Sequence, residues 1–265
     1  MNQSTVLGFL GGLVFLVAMI FLSPVNATAF FNIPGLIVVI GGTLAATFVS
    51  RPIEDVYKVL RTLPELFRED EDNIETDITQ LLRFASLYRG GKLRAAEREL
   101  TAIGNPFLSC GLQQVIDGAT LDDLNKSMHW RMSGLRSRDQ GQTQILYSMS
   151  VFAPAFGMLG TLFGLVHMLS GLGNSGLNDI GVTMAFAMIT TVYGIVASNL
   201  IFKPLAIKME RRTSQRLMRL NSLREGILQI YEKRHPTLIK DTLDAFYAHH
   251  QVQVPTHSHL ELVKA

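Results

Sequence analysis

Long apolar runs alternate with charged blocks along this chain of 265 residues. A helix rises about 1.5 Å per residue and a bilayer core is about 30 Å thick, so runs of roughly 17 to 25 apolar residues can cross it. Four runs qualify, at residues 6–22, 30–49, 145–169 and 180–202. The pattern predicts an all-α integral membrane protein with four transmembrane helices.

Charge is segregated from these runs. All 24 Lys and Arg residues lie in 51–138 and 203–264, whereas 1–50 and 144–202 contain one acid, Asp179. Basic residues are retained on the cytoplasmic side, which places both charged blocks, the N-terminus and the C-terminus inside the cell. The connections 23–29 and 170–179 then face outward.

The charged blocks also carry helical periodicity, interrupted at Gly90-Gly91, at Gly104-Asn105-Pro106 and at 118–120. From Leu121 the pattern continues into the third span, and the fourth span continues into 205–232. A short helix is predicted at 238–247. The predicted domains are 1–50 (spans one and two), 51–143 (a helical cytoplasmic domain), 144–203 (spans three and four), 204–248 (cytoplasmic C-terminal helices) and 249–265 (a disordered tail).

Catalytic motifs are missing: the chain has no Walker loop, no HExxH and no nucleophile elbow, so an enzyme is not predicted. A net charge of +2 arises from 24 cations interleaved with 22 anions, which argues against a nucleic-acid surface. The single cysteine, Cys110, is interpreted as a packing residue. No metal or cofactor is predicted, and the tail histidines are assigned to disorder: His249, His250, His257 and His259.

Small and hydroxylated residues form a stripe on each of spans three and four. Such stripes let helices approach closely in lipid, and one interpretation is that both stripes are packing surfaces only. The alternative interpretation adds an ion path, because Pro154 disturbs the carbonyl near Ser150 and hydroxyl oxygens suit hard cations. The stripe residues are Pro154, Gly157, Thr161, Gly164 and Gly171 on span three, and Thr183, Ala187, Thr190, Gly194 and Ala197 or Ser198 on span four, with Thr191 beside it.

An ion path needs a group that loads and unloads charge, yet neither span carries a carboxylate. His167, near the outer end of span three, is interpreted as an interfacial packing residue. If the helices line an ion path, the titrating acid must come from another polypeptide. The sequence therefore predicts an obligate membrane partner.

Several segments resemble the flagellar stator A subunits, the MotA/PomA family, which is related to TolQ and ExbB. Residues 153–166 read APAFGMLGTLFGLV, 189–194 read ITTVYG, and 198–199 read SN. The likeness extends from VVIGG at 38–42, through PLA at 204–206, to the C-terminal helix.

This resemblance implies an assembly and a mechanism. Five A subunits would surround two B-type (MotB/PomB-like) subunits, whose membrane aspartate binds the translocated Na⁺ or H⁺. Ion passage through the bacterial inner membrane would turn the A ring against the rotor switch protein FliG. The resemblance also implies roles for particular residues: Arg89 and Glu97 at the torque interface, Pro154 and Pro204 in coupling, and Thr161 and Thr191 near the partner's aspartate, with Thr190 beside them.

The identity of the ion depends on few positions. Thr at position 161 is typical of sodium-driven relatives, whereas Asn32 and Val182 depart from the sodium-type pattern, and TolQ and ExbB use protons although they have threonines there. Sodium is favoured over protons. A TolQ/ExbB-like energiser of outer-membrane processes is the alternative, although such a chain is expected to have three spans; a scaffold whose threonines only pack is a third interpretation.

Overall fold

The computed structural model describes residues 3–22, 30–67, 74–171 and 177–252. These ranges are helical and contain no strand, which confirms the all-α prediction. The predicted outer connections lie largely outside the described residues, as does most of the histidine-rich tail. The α-helices are α1 (Gln3–Leu22), α2 (Ile33–Ser50), α3 (Ile53–Thr62), α4 (Ile74–Arg89), α5 (Leu93–Ala102), α6 (Pro106–Ile116), α7 (Leu121–Gly171), α8 (Leu177–Val196), α9 (Lys203–Tyr231) and α10 (Pro236–Val252).

Three helical stretches of the described chain are long and apolar enough to cross a membrane. They are α2, α7 and the continuous helical run Ile180–Tyr231. Helix α2 covers residues 33–49 of the second predicted span, and the other two contain the third and fourth predicted spans. Helix α1 coincides with the first predicted span. Its crossing of the membrane remains a prediction.

One compact unit comprises Met1–Asp70 and Arg138–Thr213. Its apolar core joins α3 to parts of α7 and α9. Asn32 begins α2 because its side-chain oxygen accepts the N–H of Gly35, which would otherwise lack a partner in the first turn. The buried core residues are Val56, Val59, Leu66, Ile145, Leu146, Met149, Ala206 and Met209.

The second compact unit comprises Glu71–Ser137 and Ser214–Ala265. Helices α4, α6 and α10 pack with parts of α7 and α9 around one core. Gly111 permits the close approach, since a Cβ there would lie 2.6 Å from Ile227 Cδ1. The largest fully buried side chains of this core are Leu81, Phe84, Leu108, Leu112, Leu124, Met128, Ile227, Ile230 and Ile239.

The predicted helix breaks are confirmed: α4, α5, α6 and α7 are separated at the three interruptions. Gly91 and Gly118 have φ values of 69° and 74°, which glycine adopts without a Cβ clash. Pro64 lies in a 3-10 helix, Leu63–Phe67, that follows α3 directly. The last helix is longer than the predicted 238–247, since it runs over Pro236–Val252 and past the predicted start of the tail at residue 249.

Candidate functional site

Helices α7 and α8 contact each other through their smallest residues. A Cβ on Gly194 would lie 2.6 Å from the carbonyl oxygen of Ala153, and one on Gly164 would lie 2.6 Å from Ala187 Cβ. Only a residue without a side chain fits at such separations. The predicted stripes therefore meet at Gly157, Gly164, Ala187, Thr190 and Gly194, joined by Gly160, which the sequence interpretation missed.

Thr190 lies inside this contact. Its side chain is fully buried, and its hydroxyl lies 2.7 Å from the carbonyl oxygen of Ala187 and 3.2 Å from that of Gly157. A Cβ on Gly160 would lie 2.7 Å from Thr190 Oγ1. Thr190 thus packs the two helices together, and its place on an ion path remains a prediction.

Thr161 and Thr191 differ from Thr190 because both are only half-buried. The Thr161 hydroxyl donates to the carbonyl of Met158 at 2.6 Å, and that of Thr191 donates to the carbonyl of Gly157 at 3.4 Å. Each hydroxyl proton is donated to a backbone carbonyl. The lone pairs of the hydroxyl oxygen therefore remain available as acceptors. Such oxygens can coordinate a hard cation or accept from hydrated protons.

Pro154 lies inside α7, as predicted. It has no N–H to donate to the carbonyl of Ser150, four residues earlier. This carbonyl still has a donor, because the Ser198 hydroxyl donates to it at 2.6 Å. The place of Pro154 beside an ion path remains a prediction. Ser198 belongs to a π-helix, Ala197–Phe202, that lies just before Pro204.

Asn32 and Tyr193 join the start of α2 to α8. The backbone N–H of Asn32 donates to the Tyr193 hydroxyl at 2.8 Å, and that hydroxyl donates to the carbonyl of Phe30. On the same face, a Cβ on Gly35 would lie 3.1 Å from Thr190 Cγ2. Tyr193 carries no sequence signal for this role, because its partners are more than 160 positions away.

Arg89 and Glu97 lie on either side of the turn between α4 and α5. Arg89 is the last residue of α4, and both side chains are exposed. Within the described chain neither has an ion-pair partner, whereas the nearby Arg83 and Glu99 pair at 3.2 Å. A shallow cleft brings Arg89 together with His235 and Pro236 at the start of α10.

The described residues contain no cluster of three or more His, Cys, Asp or Glu side chains able to hold a metal ion.

Comparisons with known proteins agree with this arrangement. The model of the MotA/TolQ/ExbB proton channel family matches residues 99–222. The uncharacterized protein YtxD of Bacillus subtilis is 29% identical over 251 residues, covering 94% of this chain and 92% of that protein. The chemotaxis protein PomA of Vibrio alginolyticus is 28% identical over 244 residues, covering 92% of this chain and 94% of that protein. A chain of the flagellar MotAB stator complex from Bacillus subtilis superposes with a TM-score of 0.84 at 25% identity, covering 95% of this chain and 99% of that one.

The chain is therefore similar to the MotA/TolQ/ExbB proton channel family over residues 99–222. Along almost its whole length it is similar to PomA and to a chain of a flagellar MotAB stator complex, which favours a stator A subunit over a TolQ/ExbB-like energiser.

Proposed function

We propose that this protein is the ion-conducting A subunit of a flagellar stator in the bacterial inner membrane, with four transmembrane helices and both termini in the cytoplasm. It assembles as a homopentamer around B-type subunits and converts inward ion flow into rotation. The close contact of α7 and α8, with the half-buried hydroxyls of Thr161 and Thr191 beside it, carries the proposal.

The B-type subunit supplies the acid that the A subunit lacks. Residues 144–202 contain a single acid, Asp179, at the predicted outer end of the fourth span. A membrane aspartate of the partner then binds and releases the ion, while the threonine oxygens contribute acceptors next to it. Sodium is the favoured ion, and Thr161 is the residue on which that preference depends.

Torque passes from the cytoplasmic charges to FliG. Arg89 and Glu97 suit this role because both are exposed and neither is paired within the described chain. Their charges remain available for a charged surface of the partner.

The test is swimming of a stator-less strain that carries this gene with its neighbouring B-type gene, at varied sodium and fixed proton-motive force. We expect speed to rise with sodium, and both Thr161→Ala and Thr191→Ala to weaken that dependence. The matched control is Thr79→Ala, whose exposed hydroxyl bonds within its own helix at 2.7 Å.

Sodium-independent swimming would retain the stator and reassign the ion to protons. Absence of swimming, despite assembly of both subunits in the membrane, would contradict the stator proposal. Unchanged ion flux in both threonine variants would favour a purely structural role for the two hydroxyls.

A further inference from the structure

The carbonyl of Ser150 is an acceptor that α7 cannot satisfy. Pro154, which should donate to it, has no N–H. Ser150 is 9% exposed, so water is largely excluded, and a buried carbonyl without a donor is destabilising. The Ser198 hydroxyl, on a residue only 6% exposed, supplies the missing donor at 2.6 Å.

Ser198 also takes part in a second interruption of the helix. The N–H of Lys203 donates to the carbonyl of Ser198, five residues back rather than four, and Pro204 follows immediately without an N–H of its own. A π-turn adds one residue to the helix and so changes the rotational phase of the residues within it. The hydroxyl of Ser198 thus compensates for Pro154, while its carbonyl belongs to the π-turn before Pro204.

We propose that Ser198 is a positioning residue that joins the two proline interruptions and holds α7 against α8 in the working geometry. The contact continues one turn earlier, where a Cβ on Gly194 would lie 3.1 Å from Pro154 Cα. A change at Ser198 is thereby transmitted to the helix contact that carries Thr191. This inference rests on the proposed stator function.

A double-mutant cycle tests the hydrogen bond itself. Pro154→Ala restores a backbone donor to the carbonyl of Ser150, so the Ser198 hydroxyl becomes redundant. In the assembled complex with the B-type subunit, we expect Ser198→Ala to lower the thermal midpoint by about 2 to 8 °C in the natural chain. In the Pro154→Ala background it should lower the midpoint far less. Equal losses in both backgrounds would overturn the proposal.

A motor measurement separates positioning from stability. As stator complexes join a tethered motor one by one, its rotation speed rises in steps. The height of each step does not depend on the number of stable complexes in the membrane. We expect Ser198→Ala to reduce the step by about two-fold or more, within the range of residues that transmit coupling. Ser198→Thr, which keeps the hydroxyl, should recover part of it.

The matched control is Ser148→Ala on the same helix, because the Ser148 hydroxyl donates to the carbonyl of Gln144 within α7 and joins no second helix. Its step height should be unchanged. If Ser198→Ala gives fewer speed steps but each step has normal height, Ser198 only stabilises the complex. That result would overturn the positioning role. If the natural complex gives no rotation, the stator proposal fails. The double-mutant cycle of thermal midpoints would still show whether the Ser198 hydroxyl replaces the donor that Pro154 lacks.

Discussion

The contact between α7 and α8 at position 194 leaves no room for a methyl group. A Cβ on Gly194 would meet the carbonyl oxygen of Ala153 at 2.6 Å and Pro154 Cα at 3.1 Å. Both are backbone atoms, so the helices themselves must separate. We expect Gly194→Ala to destabilise the complex by about 1 to 3 kcal/mol, the usual cost of overpacking, and to abolish swimming.

Thermal unfolding of the purified complex and a motility assay measure this effect. Gly181→Ala is the control on the same helix, since a Cβ there meets nothing within 4 Å. Similar losses in the two variants would show that any alanine in α8 is harmful and that the close contact is not the cause.

Asp77 is a partly buried carboxylate in the second unit. Burial raises its pKa, while the Asn105 amide, which donates to it at 2.7 Å, acts in the opposite direction. A carboxyl whose pKa is higher in the folded than in the unfolded chain stabilises the fold below the unfolded value. That stabilisation is lost as pH rises through the folded value.

Asp77→Asn should therefore gain thermal stability relative to the natural chain as pH rises from about 4 towards 7. Thermal midpoints of the two complexes across this range measure the difference. Asp244→Asn, an exposed carboxylate on α10, is the control. A difference between Asp77→Asn and the natural chain that stays constant with pH would contradict this assignment.

At the scale of helices, Tyr193 fastens the start of α2 to α8. Its hydroxyl accepts from the N–H of Asn32 and donates to the carbonyl of Phe30, so Tyr193→Phe leaves two backbone groups without this partner. We expect a loss of about 0.5 to 1.5 kcal/mol for each lost hydrogen bond, the usual net contribution, because both groups are only partly buried. Thermal unfolding measures it, with Tyr57→Phe at an exposed position as the control. Equal stability in both variants would mean that other contacts hold α2.

The small-residue stripes could be predicted from the sequence because their spacing is local. Gly157 and Gly164 recur at helical intervals, as do Ala187 and Gly194, and in lipid such stripes indicate contact. Gly160 was missed because it lies beside the stripe rather than on it. It nevertheless packs against Thr190, since the contact is wider than one row of residues.

The hydrogen bond between Ser198 and the carbonyl of Ser150 could not be predicted in this way. Pro154 indicates that a carbonyl loses its donor, but the replacement comes from a residue 48 positions along the chain. The direction of the Ser198 side chain depends on the π-turn Ala197–Phe202, and a 3.6-residue periodicity does not specify such a turn. Asp77 was missed for a related reason, because its burial depends on tertiary packing rather than on local pattern.

At the scale of the whole molecule, apolar and charged segments occupy different parts of the chain. All Lys and Arg residues lie outside 144–202, while Arg89 and Glu97 belong to the compact unit that contains α4 and α5. Substitutions of exposed charges in that unit should therefore leave membrane insertion unaffected. The proposed torque surface can be tested separately from the proposed ion path.

Charge reversal at Arg89 and Glu97 makes that test. We expect Arg89→Glu and Glu97→Lys, singly and together, to impair swimming strongly while the amount of protein in the membrane stays normal. An exposed ion pair contributes about 0 to 1 kcal/mol to stability, so we expect these variants to fold normally. Lys126→Glu, which breaks an exposed pair with Asp122 in the same unit, is the control and should swim normally. Swimming speed and membrane abundance are measured together, and normal swimming of all three reversal variants would remove Arg89 and Glu97 from the torque surface.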